Sequence, residues 1–361
     1  MSASNAYGLN NEQDASFGLS QNRMLSNVRV LEFSAIGPVP WGVGILADMG
    51  ASITRIVRSK QANLPHNAIS ERARKDIVLN LKKPQDLEKA KALIQKHDVL
   101  VEGMRPGVME RLGLSPEVCL QLNPKLVFAR VTGWGQDGPL AKRAGHDINY
   151  IALSGALHAI GPAQGAPVIP LNLVGDYGGG GAFLLIGLLS ALLHARSTGK
   201  GSVVDVAMLD GATKQMGLAY ERFALGQWKD QRESNLLDGG CPWYQVYQTK
   251  CGGYMAVGAI EPQFYSIFVE ALGLDEANLP SRDNQENWPK LKKIFTKIFL
   301  QQTRTHWTQV FEPIDACVSP VLSLKEAPLH PHNQARATFF KDDHNHWQPG
   351  LAPRFKKVKD A

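Results

Sequence analysis

Six short apolar segments recur between stretches of helical periodicity, and that alternation restricts the fold more than any other property of the chain. "VRVLEF", starting at Val28, is strand-like, "GILADMG" reads as a short helix ended by Gly50, and "SITRIV" is strand-like again. Then come "DIVLNL", the helix "PQDLEKAKALIQKH" with Leu87, Ala90 and Ile94 on one face, and the strands "DVLVE" and "KLVFARVTG". Between those two strands the helix "SPEVCLQLN" has Ser115 as N-cap and Pro116 at N1. "SVVDVAMLDGATKQM" is a further strand and helix. Such alternation argues an α/β fold, a parallel sheet with helices on its faces.

After that segment the texture changes. "WYQVYQT" and "YMAVGAI", joined by "KCGG", read as an antiparallel hairpin, and the helices "PQFYSIFVEAL" and "NWPKLKKIFTKIFL" follow. The expected organisation is a polar extension over 1–24, a large domain over 25–224, a smaller one over 225–325, and a tail, 326–361, returning to the first. The extension lacks an apolar core and is read as neither signal peptide nor clear transit helix.

Composition excludes several classes. A net charge of +6, spread along 361 residues, suits an anionic small molecule better than a nucleic-acid track. Cys119, Cys241, Cys251 and Cys317 form no CxxC pair, which reads as a reduced, cytosolic chain without structural metal. "HPH" near residue 331 and "HNH" near 345 have no cysteine or carboxylate cluster nearby of the kind a metal site needs and read as exposed tail histidines. The longest apolar run, Gly178 to Leu193, has sixteen residues with five glycines, short of the about twenty a bilayer span needs, so a buried core helix is expected and no membrane contact.

Two motifs match letters without context. "GVGILA" (Gly42 to Ala47) spells GxGxxA, but Pro38 and Pro40 separate it from the strand that should lead directly into it. "TGKGS" (Thr198 to Ser202) lies between a helix and a strand, the reverse of a phosphate loop, and reads as a helix C-cap turn.

Three acidic or basic contexts deserve chemistry. In "AGHDINYIALSG", Gly145 precedes His146 at a helix start whose free N–H groups near Asp147 could stabilise a developing negative oxygen, while the histidine could move a proton. A capping or packed histidine is the plain alternative. In "LNLVGDYGGGG", Asp176 could be an N-cap, yet four consecutive glycines point to something approaching the backbone closely, and a carboxylate held against a ligand in apolar surroundings has its pKa raised. Glu261, before Pro262, could be an acid favoured by a helix dipole or the carboxylate that orients a histidine.

"GHDINYIALSG", "PLNLVGDYGGGGAFL", "GKGSVVDVAMLDG", "NLLDGGCPWYQVY", "VGAIEPQFY" and "DACVSPVL" resemble, in order from about Val28 to Arg354, the α-methylacyl-CoA racemases of the family III CoA-transferase superfamily. The resemblance implies an intertwined homodimer, each chain with a Rossmann-like large domain and a smaller α+β domain, and an active site at the subunit interface. It implies interconversion of (2R)- and (2S)-2-methylacyl-CoA thioesters with His146 and Asp176 as the acid–base pair, Asp147 at the oxyanion, and Glu261 paired with His146. CoA contacts are implied at Arg58, at Leu79, Asn80, Leu81 and Lys82, at Gly103 and Arg111, and at Gly145, Ile148, Asn149 and Tyr150. CoA enters as part of the substrate, so no cofactor is implied.

The sequence departs from the family locally. Cys241 and Trp243 stand where segments like "GGAPFY" carry other residues, which could reshape the acyl pocket. The tail carries no peroxisomal address, favouring a cytoplasmic enzyme. The nearest rival is a CoA-transferase of the same superfamily with Asp176 as nucleophile. "GHDINY" and Glu261 argue against it, and against an acyl-CoA binding protein without catalysis.

Overall fold

The computed structural model describes residues 23–59, 71–342 and 344–355. Residues 1–22 of the polar extension and the closing "KKVKDA" lie outside them. The chain divides into two compact units, the first running to Ser154 and adding Pro170–Met216 and the segment from Pro328, the second comprising Gly155–Ile169 and Gly217–Ala327.

In the first unit the expected strands form one parallel sheet: β1 (Arg29–Phe33), β2 (Ser52–Val57), β3 (Arg74–Val78), β4 (Val99–Glu102), β5 (Val127–Thr132) and β6 (Ser202–Ala207). Their order is β3-β2-β1-β4-β5-β6. Successive side chains point to opposite faces, so each central strand feeds two cores. Val30, Val99, Val101, Val127 and Ala129 pack with the helices Pro38–Asp48 and Phe183–Thr198. Leu31, Phe33, Leu100 and Phe128 pack on the other face with Ala90 and Ile94 of the helix Pro84–Ile94 and Cys119 of the helix Pro116–Leu122. Ser115 caps the latter by accepting from Val118 N–H at 3.3 Å.

The dinucleotide-like glycines sit inside a helix that begins at Pro38, earlier than the sequence suggested, with proline at its start as helix geometry permits. There Gly42 lets the helix lie against Leu184 and Gly181. Gly199, in the left-handed region, ends the helix Phe183–Thr198, so "TGKGS" is a C-cap turn.

The long apolar run differs from expectation in two ways. A π-helix, Leu173–Ala182, runs directly into the helix Phe183–Thr198, giving a continuous helical stretch of 26 residues, long and apolar enough to cross a membrane by length and composition. Its burial is also one-sided. Leu184, Leu188 and Leu192 join the sheet's core, whereas Ile186 and Leu193 are 58% and 72% exposed.

The four glycines are met by protein rather than by open space for a ligand. A Cβ on Gly180 would come within 2.8 Å of Pro38, one on Gly179 within 2.6 Å of the Met208 carbonyl, and one on Gly181 would overlap the Trp41 ring. From the other side Gly211, in the helix Met208–Gln215, faces the Gly179 carbonyl without room for a side chain.

The second unit is built on the expected hairpin, β7 (Tyr244–Gln248) and β8 (Tyr254–Gly258), turned at Gly252 with φ 81°. "DACVSPVL" adds a third antiparallel strand, β9 (Val318–Pro320). The helices Pro262–Ala271, Trp288–Phe299 and Arg304–Phe311 bury Phe268, Phe295, Phe299, Trp307 and Phe311 against the sheet. Cys241 and Trp243 lie in this core, where Trp243 packs edge-on to Tyr265 and carries Arg282 over its ring at 4.4 Å. Both are buried core residues, 0% and 4% exposed.

Two segments lie in this unit although the sequence reading placed them in 25–224: Gly155–Ile169 and residues 217–224. The first is held there by long-range hydrogen bonds. Arg232 donates to the carbonyls of His158, Pro162 and Gly165 at 3.1, 3.0 and 2.9 Å, and the Ala163 N–H donates to Glu233 at 2.9 Å.

The glycine contact yields a stability prediction. Gly211→Ala should lower the unfolding free energy by at least about 1–3 kcal/mol, the usual cost of overpacking, because backbone rather than a movable side chain stands in the way. Thermal or urea unfolding measures it; an unchanged midpoint contradicts the packing described.

Candidate active site

Parallel strands point their carboxyl ends to one side, and in such sheets ligands bind beyond those ends where the strand order reverses. Here the reversal falls between β1 and β4. A cleft of about 620 Å³ opens there, lined by Ile36–Val39 after β1, Gly103–Pro106 after β4 and Val131–Trp134 at the end of β5. Arg143, Gly145, His146, Tyr150, Asn172, Asp176 and Tyr177 complete its wall.

His146 is the extended N-cap residue of the helix Asp147–Leu153 and is exposed to the cleft. Its backbone N–H donates to Asn149 Oδ1 at 3.0 Å, which fixes the entry of the chain into the helix. Tyr150, one turn on, is buried and meets the Trp134 ring edge-on with centroids 4.8 Å apart. That ring pair leaves Gly145 no room for a Cβ, which would lie 2.7 Å from Tyr150.

Asp176 is carried inside the π-helix rather than at an N-cap. Its Oδ2 stands 3.3 Å from where a Cβ on Gly37 would lie, at a φ of 69° that an L side chain rarely adopts, and it accepts from Asn172 Nδ2 at 3.3 Å. Burial pushes its carboxyl above the usual aspartate range; the Asn172 bond and His146 pull the other way, and the nearby Asp147 adds to the rise. π-Turns are rare and recur at functional sites, and this one follows Leu171 at φ 58°, another uncommon backbone state.

Asp147, 7% exposed, points inward. Its Oδ2 accepts from the Asp176 N–H at 2.6 Å, while Oδ1 is buried without a hydrogen-bond partner among the described residues. Glu102, at the end of β4, holds the next cleft segment by accepting from Met104 N–H at 2.6 Å and from Arg130 Nε at 2.8 Å.

The other residues singled out in the sequence are distributed along the same sheet edge or elsewhere. Gly103 lines the cleft, close to Ala35 and Val39. Arg58 follows β2 and is exposed; Leu79 follows β3 and is buried core; Leu81 packs against that core. Asn80 accepts from Lys82 N–H at 3.2 Å, and Lys82 and Arg111 are exposed. Ile148 and Asn149 are exposed on the first turn after His146. Glu261 is the N-cap of the helix Pro262–Ala271 in the second unit.

Sequence reasoning missed Arg105 and Arg143, the two cleft arginines, although "GMRPG" and "KRAGHD" place them beside residues already chosen. It also missed Gly37, Trp134 and Tyr177, which no local motif announces.

An open parallel sheet with an imidazole, a half-buried carboxyl and two guanidinium groups around a switch-point cleft defines an α/β protein whose cleft suits an anionic ligand and proton transfer. The family profile described as CoA-transferase family III matches residues 25–360, and the chain belongs to that family. It is 42% identical to mouse α-methylacyl-CoA racemase over 93% of this chain and 87% of the relative, and 40% identical to the human α-methylacyl-CoA racemase over 91% and 86%. Succinyl-CoA:glutarate CoA-transferase of mouse is 29% identical over 84% and 73%. In fold it is similar to a CAIB/BAIF family protein from Brucella suis, with TM-score 0.78, 21% identity and coverage of 94% of both chains.

Because folding raises the carboxyl pKa of Asp176, the native state holds a proton that the unfolded chain releases. The associated stability is present below the ordinary aspartate pKa, about 4, and is lost as pH rises through the raised value. Asp176→Asn should therefore melt above the wild type at pH 8, with the gap closing toward pH 4. A gap that is constant with pH contradicts the raised pKa.

Proposed function

We propose that this enzyme is an isomerase of the α-methylacyl-CoA racemase type, inverting the α-carbon of 2-methylacyl-CoA thioesters. The observation that carries the reading is the presence of His146 and Asp176 in the wall of one cleft, in a chain 40–42% identical to two such racemases.

The hydrogen next to a thioester carbonyl is a very weak acid, so its removal needs a base and stabilisation of the enolate oxygen together. One of the pair takes the α-proton, the C–H electrons move onto the thioester oxygen, and the Asp147 N–H at the helix start donates to that oxygen. The electrons then return to the α-carbon, which collects a proton from the other residue on the opposite face. Neutral His146 with protonated Asp176 begins one direction, and protonated His146 with ionised Asp176 begins the other. Each state is the product of its counterpart, so no cofactor regenerates either. The burial that raises the Asp176 pKa favours its protonated form, the one that can donate.

CoA would lie along the carboxyl edge of the sheet. Arg105 and Arg143 in the cleft, with Arg58, Lys82 and Arg111 further along that edge, are the cations available to its phosphates. Glu261 is assigned to orient His146 across a homodimer, and the exposed Ile186 and Leu193 support such a pairing of chains. A cytoplasmic setting accords with four free cysteines.

The reading is tested by incubating one enantiomer of a 2-methylacyl-CoA with the enzyme and resolving the products by chiral chromatography. Wild type should approach equal enantiomers, with kcat falling on both sides of a pH optimum. His146→Ala and Asp176→Ala should each lower kcat by about 10²–10⁴-fold with KM nearly unchanged, since each removes proton transfer rather than binding. Arg143→Ala should instead raise KM with kcat retained. No inversion, with CoA passing to an added free carboxylate, would make Asp176 a nucleophile and the enzyme a transferase.

A further inference from the structure

We infer that the side chain of Asp147 is a positioning residue, holding the π-turn that carries Asp176 against the helix start that carries His146 and so setting the gap in which the α-carbon is inverted. This rests on the racemase reading above and goes beyond the backbone N–H already assigned to Asp147.

The geometry ties the two reacting groups through a single side chain. Asp147 follows His146 directly in the chain, and its Oδ2 receives the Asp176 N–H at 2.6 Å, short as charge-assisted bonds are. That N–H belongs to the first turn of the π-helix, where amides lack an acceptor within the helix; the Tyr177 N–H, bonded to the Asn172 carbonyl, is among the first to find one. The Asp147 carboxylate therefore replaces a missing helical bond at the residue whose placement matters most.

The neighbourhood is built to admit the carboxylate. Gly175, just before Asp176, has no side chain, and a Cβ there would stand 2.6 Å from Oδ2 and 3.2 Å from Ile151. Asparagine would satisfy the same N–H, yet the position holds an acid with its second oxygen buried and unpartnered among the described residues, a costly choice for a cap alone. Its charge has somewhere to act. Asp147 and His146 are the titratable groups that bear on the Asp176 carboxyl, and Tyr150 beside them responds to both aspartates.

Three variants separate the roles. Asp147→Ala removes bond and charge, Asp147→Asn keeps an acceptor and removes charge, and Gly175→Ala displaces the carboxylate with its charge intact. Racemisation kinetics across pH are measured for each, with circular dichroism to check folding.

Asp147→Ala and Gly175→Ala should lower kcat by about a hundredfold, the scale of a ~1 Å misplacement, with KM for the acyl-CoA within about threefold of wild type. Asp147→Asn should retain most of kcat while the pH limb governed by Asp176 moves toward acid, because a negative neighbour has been removed. Should Asp147→Ala fail to fold, the other two variants decide.

Wild type that inverts substrate alongside Gly175→Ala and Asp147→Asn with unaltered kcat and pH profile overturns the positioning role alone. Equal losses in CoA binding and turnover would reduce the contact to general stability and overturn it too. Wild type that does not invert substrate overturns the racemase reading, and this inference with it.

Discussion

Backbone meets backbone where Gly178–Gly181 lies between the start of the helix Pro38–Asp48 and the helix Met208–Gln215 with its Gly211. Gly179 and Gly211 bring backbone onto backbone on one side, and Pro38 and Trp41 fill the space left by Gly180 and Gly181 on the other, so the π-turn is pinned to the carboxyl edge of β1 and β6 at once. Asp176 rides on that turn, Tyr177 stacks on Trp41 at 5.0 Å, and this side of the cleft takes its position from the contact. The exposed far side of the same helical run is what remains once that inner face is used.

Within the cleft, three ionisable residues close together have been given separate environments. His146 stays exposed at a helix start, Asp176 is half withdrawn from water, and Asp147 is buried on a backbone N–H. Chemistry that returns a proton to the opposite face of a carbon needs two groups of different character in fixed relation; residue type separates His146 from Asp176, and solvation separates Asp176 from Asp147. The second buried carboxylate near the cleft, Glu102, anchors the loop Gly103–Pro106 in the same manner, through a backbone N–H and a buried arginine.

Much of this was legible in the sequence because it depends on local pattern. Strand and helix periodicity gave the doubly wound sheet, Ser115 and Gly199 acted as the caps their types suggest, and His146 stood at a helix start. What could not be read depends on which elements meet. Four glycines announced a close approach but not that Pro38, Trp41 and Gly211 make it. Asp176 looked like an N-cap because a π-turn has no signature in residue type, and its amide's partner lies 29 positions earlier. Arg232 draws Gly155–Ile169 into the second unit through bonds to residues about seventy positions away, invisible to any window of local texture.

The central claim is that the α-carbon exchanges its proton between His146 and Asp176, and solvent deuterium tests it most directly. One enantiomer of a 2-methylacyl-CoA, with enzyme in D2O and no acceptor acid, is followed by NMR at the α-position. The account predicts loss of the α-proton signal in step with inversion, each inverted molecule carrying one solvent deuterium. An α-proton retained while the thioester turns over, or inversion without label, would contradict it.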